Sequence, residues 1–531
     1  MNRSFTFTGN YLIVATSLFL TVFYNTSYYQ KVLEIHPVSI GNTAFLLSII
    51  GLQLTATILL ISIFSFKGLI KPIVILLLLT SAISSYIMDT FGTVFGDDMM
   101  RQIIALITGH SFDLLSTNLF LYLIFFWIMP SLFVLRTPLK FKHFKDEFIN
   151  RLQLIAFSLS IAILIILLFY SSYSALFKAK NPIKYYANPI YFIYSGIDSL
   201  ISVLASSNQR LNPSANDAII AEMDGDRELV IMVLGEAARA DRFSLNGYSR
   251  LTNPLLQEEK LTSFEDFSAC STSTSTSMSC IFLDHGSQPT TELNPRKGNN
   301  LIDIMNSTGI NILWRDNNKR SNQFSSLITY ENFRNAEINP VCDSECRDEG
   351  MLVGLQEYID AQKSGDIFIV LHQIGSQGPA YYKRYPQSFE VFTPACKTSQ
   401  LVNCTQQEIN NAYDNSIRYT DHFLAKTIAL LKQNQNDFET AMLYVSDHGE
   451  SLGEKGVYLH GLPTFIAPEK QIHVASVLWI SEQFHHADID TVQLKSKAAL
   501  SHDNLFHTLL GLFEIQTSVY DPSKDILSST W

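Results

Sequence analysis

Three short motifs carry side chains that could do chemistry together. Glu236 follows the apolar run 229–234, inside Gly235-Glu236-Ala237-Ala238-Arg239. Asp447 and His448 follow the run 441–445, inside Ser446-Asp447-His448-Gly449-Glu450-Ser451. Carboxylate oxygens and an imidazole nitrogen brought to one point suit zinc, with a coordination position left open. The third motif is Cys270-Ser271-Thr272-Ser273-Thr274-Ser275-Thr276-Ser277-Met278-Ser279-Cys280, which enters the apolar stretch 281–283. A hydroxyl at a helix N-terminus sits where free N–H groups and the dipole favour phosphate. A metal beside such a hydroxyl lowers its pKa and makes it a nucleophile. Singly, each motif has an ordinary reading. An acidic residue after a strand commonly caps a helix, and a Ser/Thr run is commonly a linker. It is the combination that points to catalysis, and spacing alone does not select one hydroxyl from the run.

The elements around these motifs alternate. Runs 229–234, 310–314, 367–371, 441–445 and 474–480 read as strands, with helical stretches near 301–305, 352–362 and 408–433 between them. That order predicts a mostly parallel sheet with helices on both faces. In such sheets ligands bind beyond the carboxyl ends of the strands, where the first two motifs fall.

The rest of the chain is of another kind. Of 531 residues only 16% are charged, and the net charge of −11 lacks the basic footprint of a nucleic-acid binder. Residues 1–175 hold ten basic and seven acidic residues, whereas 176–531 hold 28 and 42. The first part contains five apolar segments, 11–28, 43–66, 69–88, 118–135 and 152–173, whose interiors carry no Lys, Arg, Asp or Glu. A transmembrane helix needs about 20 such residues, and one charge at its centre costs about 3 kcal/mol. With a cytoplasmic N-terminus, one side collects Arg3, Lys67, Lys71, Arg136, Lys140, Lys142, Lys145 and Arg151, and the other only Lys31 and Arg101. This positive-inside pattern places everything after residue 173 on the external side. The expected organisation is a five-helix membrane anchor (1–175), a connector (176–225) and an external α/β domain (226–531). Within the connector, 191–205 is expected to lie on the membrane surface, its tyrosines at headgroup depth. No internal repeat is seen.

All six cysteines follow the last span. Their place on the external side points to disulfides, and the sequence-local pairing is Cys270–Cys280, Cys342–Cys346 and Cys396–Cys404. A structural zinc site fits less well, since the pairs lack CxxC spacing.

Taken together, Gly-Glu-x-x-Arg, the cysteine-bracketed Ser/Thr segment, the run Gly-Pro-Ala-Tyr-Tyr-Lys-Arg-Tyr-Pro at 378–386, Ser-Asp-His-Gly-Glu-Ser-Leu-Gly-Glu at 446–454 and Tyr-Leu-His-Gly-Leu-Pro at 458–463 resemble the lipid A phosphoethanolamine transferases. That group includes the colistin-resistance enzymes, and the likeness covers essentially the whole chain. It implies an alkaline-phosphatase-like (sulfatase-type) soluble domain on a five-helix membrane domain in the bacterial inner membrane, with the catalytic domain in the periplasm. It implies one tight Zn2+ site held by Glu236, Thr274, Asp447 and His448, with Thr274 as nucleophile. His460 matches a histidine linked to donor binding or a second zinc. The implied reaction takes phosphoethanolamine from phosphatidylethanolamine onto Thr274 and then onto lipid A, in a monomer.

The chain departs from the pattern around the presumed donor headgroup. The family histidine of Gly-Ser-His-Gly-Pro is Gln377 here, which puts a second zinc in doubt. Near the third span, an Asn/Thr/Glu set is replaced by Gln102, Leu106 and His110; after 314–318, a Ser/Lys pair is replaced by Lys319 and Asn322. These changes leave open a different headgroup, such as phosphoglycerol. His372 matches a family histidine, and His485-His486 reads as a solvated turn rather than a metal site. A phosphodiesterase or sulfatase of the same superfold is a further alternative, but the segment 277–280 lacks the C/S-x-P-x-R motif of a sulfatase. A transporter is disfavoured by spans without charged residues and an external domain of this size.

Overall fold

The computed structural model describes residues 7–94, 115–178, 182–197, 217–221, 225–287, 299–318, 328–485, 487 and 489–528. The chain divides into two compact units, Met1–Val203 and Leu204–Trp531.

The first unit is helical: α1 (Gly9–Phe23), α2 (Thr26–Ile35), α3 (Ile40–Phe64), α4 (Ile70–Phe91), α5 (Thr117–Arg136) and α6 (Phe144–Leu168). Among the described residues four helices are long and apolar enough to cross a membrane, namely α3, α4, α5 and α6 from Lys145. The expected fifth span, 11–28, is divided instead. Helix α1 has 15 residues, or about 22 Å, short of a hydrocarbon core of about 30 Å. It ends because Asn25, wholly buried, turns its amide back onto Leu20 O (3.0 Å) and across to Asn188 O (3.0 Å). Side-chain hydrogen bonds of this kind compete with the helical ladder. Helix α5 carries a π-helical stretch at Ile124–Ile128.

Of the connector expected at 176–225, residues 176–178, 182–197, 217–221 and 225 are described. Ile183 is buried against Val32, Phe45 and Tyr173 of the first unit. Asn188 is locked to Asn25 from both sides, its N–H donating to Asn25 Oδ1 at 2.9 Å. Residues 190–197 are helical, and the rest of the expected surface helix, 198–205, lies outside the described residues.

The second unit is built on a seven-stranded sheet. In chain order its strands are β1 (Glu228–Gly235), β2 (Thr262–Phe264), β3 (Asn311–Asp316), β4 (Thr329–Asn332), β5 (Ile367–His372), β6 (Glu439–Ser446) and β7 (Ser476–Ile480). The spatial order is β2-β7-β6-β1-β5-β3-β4. Strands β6, β1, β5, β3 and β4 run parallel, while β7 is antiparallel to both β6 and β2. The five runs read as strands are all here, whereas β2 and β4 were not foreseen. Both are short edge strands, and Thr-Tyr-Glu-Asn of β4 has no apolar run to announce it. Every residue of β1, β5 and β6 is buried, as expected of strands covered on both faces.

Two apolar layers clamp the sheet. One side packs Val230, Met232 and Leu234 of β1 against α7 (Thr274–Phe282), α8 (Leu301–Ser307) and a late helix that includes Leu505 and Leu509. The other packs Leu229, Ile231 and Val233 against α9 (Leu355–Ala361) and α10 (Gln406–Gln433). Helix α10 starts at a capping box in which Thr405 and Glu408 exchange side-chain and backbone hydrogen bonds.

Candidate active site

The parallel order of β1, β5 and β6 delivers the motifs to one edge. Ser446 pairs with Gly235 and Leu234 with His372, so Glu236, Gln373 and Asp447 leave the sheet side by side. Close packing at this edge demands glycine twice. A Cβ on Gly235 would meet the Tyr444 ring at 2.6 Å, and one on Gly375, at φ +52°, would meet Glu236 O at 2.7 Å. Arg239 of the first motif is a brace. It pairs with Asp241 (2.9 Å) and Glu454 (2.6 Å) and donates to Glu450 O (3.2 Å), tying the end of β1 to the loop after β6. The guanidinium holds the Asp241 carboxyl far below its usual range against the opposing effect of burial.

Thr274 is the first residue of α7, and the Cys270–Cys280 disulfide closes the loop around it. Its hydroxyl lies 3.3 Å from Glu236 Oε2 and 3.3 Å from His448 Nε2. His448 Nε2 lies 3.2 Å from Glu236 Oε1 and 3.4 Å from Asp447 Oδ2. The ring's other nitrogen, Nδ1, contacts the carbonyl of Gly449 at 2.9 Å. A carbonyl only accepts, so Nδ1 carries the proton in the neutral ring and Nε2 carries the lone pair. Glu236, Asp447 and His448 are wholly buried. A lone pair facing two carboxylates is repulsive unless a cation lies between them. Asp447 Oδ2 accordingly has no hydrogen bond. Burial, together with the neighbouring Glu236 carboxylate, pushes the Asp447 pKa up. This donor set, all oxygen and imidazole nitrogen, fits zinc.

His460 joins this group, whereas the sequence had set it apart. Its ring lies tilted by 38° against that of His448 with centroids 4.0 Å apart, and Glu236, His448 and His460 each offer one ligand atom within 4.8 Å of the others. The loop is held there by Gly461 N donating to Thr272 O (3.1 Å) and by the Thr272 hydroxyl donating to Leu462 O (2.6 Å). Glu450 accepts from His460 Nδ1 at 2.7 Å and from the Tyr381 hydroxyl at 2.8 Å. That contact fixes the His460 tautomer and leaves Nε2 as the ligating nitrogen.

Several supporting residues went unassigned in the sequence. The Asn318 amide donates to Glu236 Oε2 (2.6 Å) and to Gln373 O (2.9 Å), and its own backbone N–H is held by Asp316 Oδ1 (2.8 Å). Asp316 also pairs with His372 Nδ1 at 3.4 Å. Burial lowers the His372 pKa, but Asp316 overrides it and the net shift is upward. His372 is thus part of the scaffold behind Glu236. The signal for Asn318, Glu450 and Tyr381 was their place inside the quoted motifs.

Other expected residues stand elsewhere. Gln377 is buried after β5, and its carbonyl accepts from Arg384 Nε at 2.7 Å. Gln102, Leu106, His110, Lys319 and Asn322 lie outside the described residues. The sulfurs of Cys342 and Cys346 are bonded, as are those of Cys396 and Cys404. His485 lies with Asp226 and Glu439, away from the Thr274 group, and His486 is outside the described residues.

Residues 228–515 match the Sulfatase family, and residues 53–202 match the family described as phosphoethanolamine transferase EptA/EptB. Phosphatidylethanolamine transferase Mcr-1 of Escherichia coli is 36% identical over 518 residues, which is 95% of this chain and 94% of that protein. The chain belongs to the phosphoethanolamine transferase family. It is an enzyme of that kind. Phosphoethanolamine transferase EptA of Escherichia coli K12 is 32% identical over 97% of this chain and 96% of its own length. The integral membrane lipooligosaccharide phosphoethanolamine transferase A of Neisseria meningitidis superposes with a TM-score of 0.91 at 31% identity, covering 97% of this chain and 98% of that one. In a phosphoethanolamine transferase, a buried cluster of carboxylates and imidazoles beside a threonine at a helix N-terminus is an arrangement suited to moving a phosphoryl-linked headgroup.

Proposed function

We propose that this transferase moves phosphoethanolamine from phosphatidylethanolamine to lipid A, through a phosphothreonine on Thr274. The observation that carries this reading is the Thr274 hydroxyl, 3.3 Å from both Glu236 Oε2 and His448 Nε2 at the start of α7. Glu236, Thr274, Asp447 and His448 would hold zinc, with His460 at its flank. Zinc bound there supplies Lewis acidity that lowers the Thr274 pKa and offsets charge on a phosphate.

In the first step the Thr274 oxygen attacks the donor phosphorus and the diacylglycerol oxygen leaves. In the second, an acceptor oxygen of lipid A attacks the phosphothreonine and Thr274 is restored. The proton that the Thr274 hydroxyl gives up is taken up by the departing diacylglycerol oxygen, Thr274 regains a proton when the acceptor oxygen displaces it, and the free N–H groups of the first turn of α7 face the phosphate. Burial of the site limits competing hydrolysis. The same reading takes residues 1–175 as the anchor, with α1 as a fifth span, 176–225 as connector and 226–531 as the periplasmic catalytic domain of an inner-membrane monomer.

Mass spectrometry of lipid A from a producing host tests it. Lipid A gains phosphoethanolamine with the native chain and none with Thr274→Ala. Unmodified lipid A in both strains overturns the acceptor. Phosphoglycerol in place of phosphoethanolamine favours the second reading, which the Gln377 substitution motivates.

A further inference from the structure

A cavity lies within the membrane unit. It has a volume of about 510 Å3 and lies between the C-terminal end of α3, the short turn after it, and the N-terminal half of α6. Three cationic side chains line it: Lys67, Lys142 and Arg151. Glu147 is the single carboxylate on its wall, and His143 adds an imidazole. The bundle's basic loops gather at this end, so it faces the cytoplasmic leaflet.

Arg151 is the informative residue. It is 9% exposed, and its Nη1 is buried with no hydrogen bond. Among the described residues the one carboxylate paired with it, Glu147 Oε2, is 4.0 Å from Nη2, too far for a hydrogen bond. Glu147 is engaged elsewhere, since its Oε1 accepts from the backbone N–H of Lys142 at 2.9 Å. A buried guanidinium presents five donors in a planar fork and is costly without acceptors to meet them. The chain makes room for it: a Cβ on Gly9 at the start of α1 would come within 2.9 Å of Arg151 Nη2.

The rest of the cavity says what kind of acceptor fits. Ile63, Phe66, Phe148 and Leu152 line it and are each more than half exposed, at 57%, 54%, 57% and 55%. A free anion has no use for such a lip, whereas acyl chains do. The excess of cations over carboxylates favours a headgroup with net negative charge over a zwitterion. Basic pockets between transmembrane helices on the cytoplasmic side bind anionic headgroups in this manner.

We propose that this cavity binds one acidic diacyl phospholipid, its phosphodiester forked by Arg151 and flanked by Lys142 and Lys67, its chains running over Phe148 and Leu152. In this proposal the bound lipid is neither the donor nor the acceptor of the transfer reaction.

The test is a lipid titration of the purified full chain in detergent, read by native mass spectrometry. The probes are dioleoyl phosphatidylglycerol, dioleoyl phosphatidylethanolamine and inorganic phosphate. The native chain should retain one phosphatidylglycerol, bound roughly tenfold more tightly than phosphatidylethanolamine, with no saturable phosphate adduct. Arg151→Met should abolish that preference, and Gly9→Ala, which displaces the guanidinium, should weaken it. Lys140→Gln, outside the cavity, should leave it intact. If Arg151→Met does not elute as a monodisperse chain, the Lys67→Gln/Lys142→Gln pair gives the same reading. Equal retention of the two lipids by the native chain, an unchanged preference in the variants, or equal binding of inorganic phosphate would overturn the proposal.

Discussion

Each unit contains a wholly buried polar cluster, and the two are built on opposite principles. In the membrane unit, Asn25, Gln53 and Asn188 are neutral amides that satisfy one another. Gln53 Nε2 donates to Asn188 O at 2.8 Å, and Asn188 Nδ2 donates to Ser81 O at 2.9 Å and Tyr24 O at 3.3 Å. Only Asn188 Oδ1 is left over. In the soluble unit, two carboxylates and an imidazole lone pair face one another across 3.2–3.4 Å. The first cluster is charge-neutral, leaves that one acceptor over, and holds three chain segments together. The second gathers like charge without a cation among the described residues, which is what makes it a candidate metal site in the proposed reaction. Burial of polar groups therefore does not separate scaffold from site, but the balance of charge does.

The sharpest way to break this contrast is to remove charge from the second cluster. Asp447→Asn should lower transfer by on the order of a thousandfold, because one ligand oxygen is lost. The metal-depleted variant should nonetheless unfold at a higher temperature than the metal-depleted native chain, since a buried carboxylate with a raised pKa no longer opposes Glu236. Calorimetry after chelation, alongside a transfer assay, checks both. A variant that is inactive and less stable would mean the cluster is scaffold after all.

A bridge between the two motif loops offers the next test. His502 is wholly buried, with Nε2 3.0 Å from Ser446 O and Nδ1 accepting from Cys270 N at 3.4 Å. Only the neutral Nε2–H form satisfies both, and burial lowers its pKa from 6.5 to about 4. A histidine whose folded pKa is depressed contributes fully above the unfolded pKa and loses that contribution as pH falls. The native chain should therefore lose about 3 kcal/mol relative to His502→Gln between about pH 6.5 and pH 4. Parallel unfolding curves for the two proteins across that window would refute the assignment.

The sequence exposed the second cluster far better than the first, and the reason is physical. Fully covered parallel strands leave long apolar runs, so β1, β5 and β6 and the residues at their ends could be read directly. Thr274, by contrast, was one of many hydroxyls, and only resemblance singled it out; its distance to Glu236 is a property of how α7 seats on the sheet. The Glu450–His460 contact spans ten residues and a reversal of the chain that periodicity does not encode. The edge strands β2 and β4 are too short and polar to register. Asn25 was invisible because one amide in an apolar run passes for a tolerated polar residue. Its partner Asn188 is 163 positions away.

Glu450 tests whether support and site are separable inside the catalytic cluster. Glu450→Gln keeps the size of the side chain and an acceptor for Tyr381, but it loses the charge that holds His460 Nδ1–H. Transfer should fall roughly 10- to 100-fold, as it does when the partner of a ligating histidine is altered. The melting temperature should stay close to that of the native chain. Zinc titration followed by mass spectrometry separates the two roles: an unchanged affinity with slower transfer would place His460 on the substrate side, and a weakened affinity would place it on the metal.

The smallest effect should come from the membrane cluster. Asn25→Ala strips Asn188 N of its acceptor and removes the amide that turns back on Leu20. In a bilayer the unfolded reference also finds partners, so the cost should be only about 1–2 kcal/mol. The same substitution lifts the competition that stops α1 at Phe23, so α1 and α2 gain a route to one longer helix. Circular dichroism of the detergent-solubilised chain should then show a small gain in helicity alongside the lower stability. Transfer per folded molecule should change by less than about twofold, because no group of the reacting cluster is touched. A large loss of transfer at unchanged stability would mean that the break after Phe23 positions lipid for the reaction, and the neutral cluster would then belong to the site.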